Sequence, residues 1–479
     1  MLSGWPPATL SIQEFRPVPR HRPRRWFAAL TLLFAVPALP ALAAMDCARA
    51  RTPTEKTLCA DPALYQLDAS LGATYARLRA AQPGQNEALR QAQRAWLRQR
   101  NDCGADAVCL RGRYESRQVQ LQAQLDRAQA YRPDATDRQA LEDLRQAIET
   151  ARQADPEFAV ENALAARSLK REATAFRNVR AANGDDLARL PATRPAGVSE
   201  DEWAAVLASG LASDAEGGSV SYLLLDLDGD GRRDLVIDSY IGGTGLFSEV
   251  SALRRDGARF LPADLQGGPD AGALLYTING RGANQSGEWI RLRGRVYAVY
   301  RVGAYGEDRL YLLRPLRRVG DVPTLTVRYR YELSVPREQK RPDQGAARVL
   351  DDTLHAALAR AVAGVPVDRA PGDAPGREPL CPVPAGTASD ESAAYYGFGP
   401  GHYSYETIAD VTVQAGSRCY VGRVVDWFGY YSAQSGLAAQ IWIRAPGPDG
   451  QQDAFDLRGK RRAIGVEPGI GPVAGDNGA

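Results

Sequence analysis

Apolar positions in the first third of the chain recur at steps of three and four, the period of one helix face. Thr52-Pro53-Thr54-Glu55 is a capping box with Pro at the first helical position, and Asp61-Pro62 opens a second helix in the same way. Leu64, Leu67, Leu71, Tyr75 and Leu78 form one face of that helix, which Pro83-Gly84 breaks. The next helix, about Asn86 to Arg100, presents Leu89, Gln93, Trp96 and Arg100. After a turn over Asn101–Asp106, a third long helix carries Leu110, Tyr114, Leu121 and Leu125. The helical period continues through Leu141, Leu144, Ile148 and Ala151, ending near Asp155-Pro156. It resumes from about Glu157 to Ala182 with Phe158, Leu164, Phe176 and Val179. Ser199-Glu200-Asp201-Glu202 is another capping box, opening a short helix with Trp203, Val206 and Leu207.

From Ser219 the period changes to two. Strands are predicted at Ser219–Leu225, Leu235–Tyr240, Phe247–Leu253, Glu288–Arg293, Val296–Val302, Leu310–Leu313 and Leu325–Leu333, and a helix over Asp351–Val362. Residues 364–380 are rich in Pro, Gly and Asp and read as a linker. Beyond them Tyr405–Gln414, Arg418–Asp426 and Ala439–Arg444 read as strands. The fold class is therefore α+β and multi-domain: an N-terminal disulfide-bonded helical domain followed by two β-rich domains. The division is a helical domain at 44–130, a helical extension at 131–210, a β-rich domain at 211–365, a linker at 366–380, a small β domain at 381–465 and a disordered tail at 466–479.

Residues 1–43 read as a signal peptide. Arg20 to Arg25 form a basic region, Trp26 to Leu39 an apolar one, and Ala41-Leu42-Ala43 the small-residue cleavage site. The apolar run is short and interrupted by Pro37 and Pro40, which disfavours a membrane anchor. Met45 and Asp46 before Cys47 exclude a lipoprotein site. No later stretch reaches the ~18 apolar residues of a membrane span. The 479-residue chain has a net charge of +2, but residues 44–479 carry 54 basic and 56 acidic residues, so no electrostatic footprint for nucleic acid remains. The expected location is the periplasm or the extracellular space.

The cysteines agree with an oxidising compartment. Cys47, Cys59, Cys103, Cys109, Cys381 and Cys419 are even in number, and none has C-x-x-C spacing, so disulfides are expected rather than a zinc or redox site. Cys381 and Cys419 would staple the last domain. The first four allow three connectivities; antiparallel helices with short loops favour Cys59 with Cys103 and Cys47 with Cys109.

The run Cys47…Glu55-x-x-x-Cys59-Ala60-Asp61-Pro62-x-Leu64-x-x-Leu67-Asp68…Tyr75…Gln93-Arg94-x-Trp96-Leu97-x-x-Arg100-Asn101-x-Cys103…Cys109-Leu110…Tyr114 resembles the LprI-type domain. That domain is named for a secreted lysozyme inhibitor and is found in bacterial envelope proteins. The resemblance spans most of residues 45–125, about a fifth of the chain, and implies an extracytoplasmic binding role. Trp96 reads as the core aromatic of this domain, and Glu55, Asp68 and Arg100 as caps or a buried ion pair.

Asp226-Leu227-Asp228-Gly229-Asp230-Gly231-Arg232-Arg233-Asp234 lies between two apolar strands. Four carboxylates within nine residues repel one another unless a hard cation collects them, and Ca2+ takes six to eight oxygens. Gly231 permits the turn that points Asp226, Asp228 and Asp230 inward; the carbonyl of Arg232 and the side chain of Asp234 would add ligands. Ile237 stands where an EF-hand has Glu, so the loop is not an EF-hand. It resembles the strand-flanked calcium loops of FG-GAP repeats, in a single copy that implies no propeller. The expected cofactor is structural calcium; the alternative is an acidic β-turn without metal.

No G-x-S-x-G, H-E-x-x-H or P-loop occurs, and neither His355 nor His402 stands in a recognisable nucleophile motif. Ten aromatics fall in residues 395–431, a density that serves either a small β core or the binding of sugars or peptides. These observations point to a non-enzymatic envelope binding protein whose partner is an envelope protein or glycan. A lysozyme inhibitor and an unmarked hydrolase are the alternatives.

Overall fold

The computed structural model describes residues 45–178, 190–211, 219–262, 274–339, 347–368, 378–447 and 450–473. The expected signal peptide lies outside them, as does most of the expected 366–380 linker.

Four helices form the first body: α1 (Pro53–Ala60), α2 (Pro62–Ala81), α3 (Asn86–Asn101) and α4 (Ala107–Gln129). Thr52 and Glu55 close the capping box on α1, and Asp61 caps α2 through the N–H groups of Ala63 and Leu64. The apolar faces read from the sequence meet in one core containing Leu64, Leu71, Leu78, Leu89, Trp96, Leu110, Tyr114, Leu121 and Leu125.

The chain continues through α5 (Ala135–Ala154) and α6 (Ala159–Ala165) into β1 (Thr174–Arg177) and α7 (Glu200–Ala208). The helix expected over Glu157–Ala182 is therefore only one short helix. Thr174–Arg177 instead pairs antiparallel with the next strand, and Phe176 stacks on Tyr222 with ring centroids 4.9 Å apart. Tertiary pairing of a β-branched and aromatic segment has overridden a weak helical period. Val179 and Ala182 lie outside the described residues.

The first sheet contains β1, β2 (Val220–Leu225), β3 (Asp234–Gly242), β4 (Phe247–Asp256) and β5 (Arg259–Pro262) in sequential order, with β6 (Leu274–Asn279) also pairing β4. The second sheet is built from β7 (Asn284–Leu292), β8 (Arg295–Ala304), β9 (Glu307–Leu313), β10 (Asp321–Ser334), β13 (Glu406–Ala415), β14 (Arg418–Ser432), β15 (Gly436–Arg444) and β16 (Gln452–Pro472). Between β10 and β13 lie the small ribbon β11 (Glu338–Gln339) and β12 (Arg348–Val349), then α8 (Asp352–Ala363) and α9 (Ser389–Ser392).

The order of the second sheet is β13-β14-β15-β16-β10-β9-β8-β7, so it runs through both β domains expected from the sequence. β10 pairs along its whole length with β16, from Asp321 opposite Pro472 to Ser334 opposite Arg458. The Gly- and Pro-rich composition at 466–472, expected to be disordered, is thus the end of a strand; Pro lacks a donor but not an acceptor, and the partner strand tolerates it. Residues 474–479 of the expected tail lie outside the described residues.

α5, α6 and α8 cover the second sheet and share one core with it, including Leu144, Ile148, Val160, Tyr297, Leu358 and Ile441. Within that core sits a polar network. Glu161 on α6 accepts from Arg461 (2.8 Å) and Arg301 (2.7 Å), while Asp308 accepts from Arg301 (2.6 Å) and the Tyr329 hydroxyl (2.8 Å). Each buried charge has an opposite partner, the condition for holding ions in a low-dielectric core.

The helical body is tied to this scaffold at one end. Asp126 and Gln129 of α4 accept from Arg318, and the Tyr131 N–H donates to the Arg318 carbonyl at 3.1 Å.

Candidate functional site

The stapled helical body is the part of the chain whose sequence points most directly to function. All six cysteines are paired: Cys47 with Cys59, Cys103 with Cys109 and Cys381 with Cys419. The last pair is the expected one. The first two correct the pairing of Cys59 with Cys103 and Cys47 with Cys109. Both are local clips. Cys47 lies on a single helical turn that folds back on the end of α1, bringing its Cα within 5.7 Å of that of Cys59. Asp106 starts α4 directly after the turn, so Cys109 in the first helical turn reaches back to Cys103 across the same distance.

The polar residues Asp68, Arg100 and Tyr114 of this body are internal. Asp68 on α2 accepts from the Tyr114 hydroxyl at 2.8 Å, and Tyr114 in turn accepts from Arg100 at 2.9 Å. Burial, then the Asp68 charge, push the Tyr114 phenol far above its ordinary value, so it is a permanent donor. Trp96 meets the Tyr114 ring edge-on at 5.3 Å. These residues hold the helices together, as their sequence positions imply.

Among the acidic side chains of this body, Asp61 and Asp68 on the first long helix and Asp102 and Asp106 in the Cys-bounded turn are the candidates for insertion into a basic partner's cleft. The structure occupies three of them. Asp61 caps α2 and pairs with Arg111 at 3.3 Å, Asp68 is in the network above, and Asp106 caps α4 through Val108 and Cys109. Of these four, exposed Asp102, in the turn before Cys103, makes no side-chain hydrogen bond or ion pair among the described residues. On α4 the outward face exposes Val108 and Val119 at 82% and 70%. Sequence reasoning missed this face because its apolar residues stand outside the buried stripe.

The acidic loop joins β2 to β3, with Leu225 opposite Asp234. Gly229 and Gly231 adopt φ of 83° and 84°, which an L side chain rarely takes, so the turn needs glycine at both. Asp226 accepts from the N–H of Gly229 (2.7 Å) and Gly231 (3.0 Å). Asp234 is buried and accepts from Leu227 (3.0 Å) and Arg255 (2.7 Å). One oxygen of each of Asp226, Asp228 and Asp234 lies within 4.8 Å of the others, so these three carboxylates share a point. Asp230 is turned away and held by Arg232, at 2.8 Å from its N–H and 2.9 Å from its guanidinium. Burial pushes the Asp234 carboxyl up to about 6, and the charges of Asp228 and Asp230 add to this against the two N–H donors. The crowding is the kind that a dication relieves, and three hard oxygen donors fit one.

Among the described residues, neither His355 nor His402 stands in a catalytic constellation. His355 Nε2 donates to the Val335 carbonyl at 2.9 Å. His402 Nδ1 meets the Ser404 hydroxyl at 2.6 Å in an exposed turn, and among the described residues no carboxylate orients its ring.

Residues 47–132 match the family model described as "Lysozyme inhibitor LprI", so the chain carries an LprI-type domain over those residues. No curated protein and no solved structure matches the chain. Among the described residues no helix is long and apolar enough to cross a membrane.

Proposed function

We propose that the chain is an extracytoplasmic, non-enzymatic binding protein in which the LprI-type domain docks an envelope protein and the two sheets serve as its scaffold. The match of residues 47–132 to an inhibitor family carries this reading. The disulfide framework supports the compartment, and Val108 and Val119, exposed on α4, are the apolar residues that a protein partner would cover.

Lysozyme itself is the second reading. Residues 46–130 hold 13 Lys and Arg against nine Asp and Glu, a net of +4. Lysozymes are typically basic, so like charge removes long-range steering and slows association at low salt. Insertion of an acidic loop into the cleft would rest on Asp102 alone. Lytic assays with the full chain and with residues 45–130 should therefore show weak or no inhibition, while crosslinking in periplasmic extract captures another protein through α4. Stoichiometric inhibition at sub-micromolar concentration would instead make lysozyme the partner.

The acidic loop is proposed to bind Ca2+ through Asp226, Asp228 and Asp234, pinning the β2–β3 turn. Binding to the native state alone adds about 2.7 kcal/mol at a hundredfold excess over Kd. Chelator should lower the melting temperature of the wild-type chain and leave Asp228→Ala unchanged. A wild type indifferent to chelator would make the loop an ordinary acidic turn.

A further inference from the structure

A groove on the second sheet has the composition of a ligand site, and nothing above accounts for it. It consists of two adjoining cavities of about 400 and 510 Å3 that share Gln434 and Ser435 of the β14–β15 turn and Arg458 of β16. Trp427, Gln440 and Asp456 line the first and Lys460 the second.

Three features separate this groove from an incidental surface hollow. The first is Trp427, 37% exposed, at a point where the backbone is specially built. β14 loses its register with β15 between Asp426 and Tyr431. Phe428 and Gly429 there take φ of 53° and 68°, and the Gly429 N–H donates to buried Asp426 at 2.8 Å. A Cβ on Gly429 would lie 2.3 Å from the Ala304 carbonyl, so the bend is fixed from both sides. An exposed indole on so constrained a backbone is pre-organised, which lowers the entropic cost of stacking on it.

The second is a locked polar chain. Trp442 Nε1 donates to Gln440 at 3.0 Å, Gln440 donates to Asp456 Oδ1 at 2.9 Å, and the Asp456 N–H donates to Gln339 at 2.7 Å. This leaves the second carboxylate oxygen of Asp456 free to accept. The third is a set of spare donors. The Trp427 indole N–H and the side chains of Gln434, Arg458 and Lys460 make no hydrogen bond or ion pair among the described residues, in a protein whose arginines are mostly paired.

The topology selects the ligand class. β14, β15, β16 and β10 are all interior strands, so the groove lies along no outer edge of the sheet, the usual place where a peptide is added as a strand; only residues 427–430 of β14 stand outside the ladders there. What the groove presents is a set of side chains: an aromatic plate, a free carboxylate oxygen and planar or cationic donors. An aromatic face packs against the C–H face of a pyranose, and adjacent hydroxyls supply both donors and acceptors for Asp456, Gln434 and Arg458. We propose that this groove binds an oligosaccharide, with Trp427 as the stacking platform and Asp456 and Arg458 as hydroxyl partners.

The test uses the full chain and a panel of soluble tetra- to hexasaccharides, neutral and uronic-acid-containing, read by tryptophan fluorescence and calorimetry. At least one should bind and perturb tryptophan emission. Trp427→Ala should weaken that binding at least ~10-fold, a change of ~1.4 kcal/mol. Arg458→Ala should weaken it with the melting temperature unchanged, which guards against a folding effect of the first variant. No binding by any panel member at millimolar concentration overturns the proposal, as does binding that both variants retain. Capture of an extended peptide by the groove in place of the saccharides overturns it as well. None of these outcomes bears on the LprI-type domain, which contributes no residue to the groove.

Discussion

Replacing Asp137 by alanine should cost about 3–5 kcal/mol of folding stability, the range for breaking a buried ion pair from one side. Asp137 is fully buried at the start of α5. Its carboxylate accepts from Tyr297 at 2.7 Å, Arg295 at 2.9 Å, the Asp134 N–H at 3.0 Å and Arg314 at 3.4 Å, and also from the Tyr131 hydroxyl. These donors come from the segment after α4, from the α5 cap, from β8 and from the chain after β9. One carboxylate therefore joins the LprI-type domain, the helical layer and the second sheet. Alanine would leave the Arg314 guanidinium and two hydroxyls without this acceptor, while Arg295 would keep only Asp134, at 2.8 Å. Burial by itself raises this carboxyl, but the bonds from Tyr297, Asp134, Arg295 and Arg314 outweigh it and hold it below its ordinary value. A depressed native value means the contribution is complete at neutral pH and is lost as pH falls from the ordinary aspartate range through the depressed one. Urea titration at pH 7 measures the loss, and Asp137→Asn, which keeps the shape and part of the acceptor capacity, should fall between. A loss under ~1 kcal/mol for the alanine variant would show that the junction does not depend on this group.

What could be read from the sequence divides along local and non-local lines. The helices of the LprI-type domain were legible because their signals are adjacent in the chain: Thr52 with Glu55, Asp61 with Pro62, and leucines spaced by one turn. The same reasoning placed Trp96 in the core and Asp68 with Arg100 in an internal network. The acidic loop was legible as a turn, but the departure of Asp230 toward Arg232 was not, because a neighbouring guanidinium competes with the cluster. Non-local pairing was invisible. Nothing in Val327 to Leu333 names Gly459 to Val466 as its partner, and a Gly- and Pro-rich stretch concealed the strand. Asp137 carried one faint signal, the Asp134-x-x-Asp137 spacing of a capping box with Asp in place of Glu. The groove carried another: Gln440 and Trp442 alternate with the buried Ile441 and Ile443, which puts the polar pair on the outer face of the sheet.

Asp426→Asn should have the opposite effect and stabilise the chain at neutral pH. Asp426 is fully buried and stands opposite Glu406 in the β13–β14 register. One of its oxygens accepts from Gly429, while the other has no donor among the described residues. Glu406 accepts from the Tyr305 N–H at 2.6 Å. Burial first, then the Glu406 charge, push the Asp426 carboxyl well above the ordinary range; the N–H groups of Gly429 and Phe428 oppose this without overcoming it. A proton held on Asp426 gives the orphaned oxygen a bond to Glu406, so the native pair is one acid and one carboxylate. The sign follows from linkage. Below the ordinary aspartate value of about 4 both the native and unfolded states are protonated. Above it the unfolded chain releases its proton while the native chain keeps it, and stability falls by about 1.4 kcal/mol per pH unit until the raised native value is passed. The asparagine amide donates to Glu406 at every pH and carries no proton to lose. The variant should match the wild type near pH 4 and exceed it increasingly as the pH rises, until the raised native value of Asp426 is passed. Melting curves from pH 4 to 8 decide the matter: a variant that parallels the wild type at every pH would mean that Asp426 is ionised in the native chain and that its free oxygen has a partner other than Glu406.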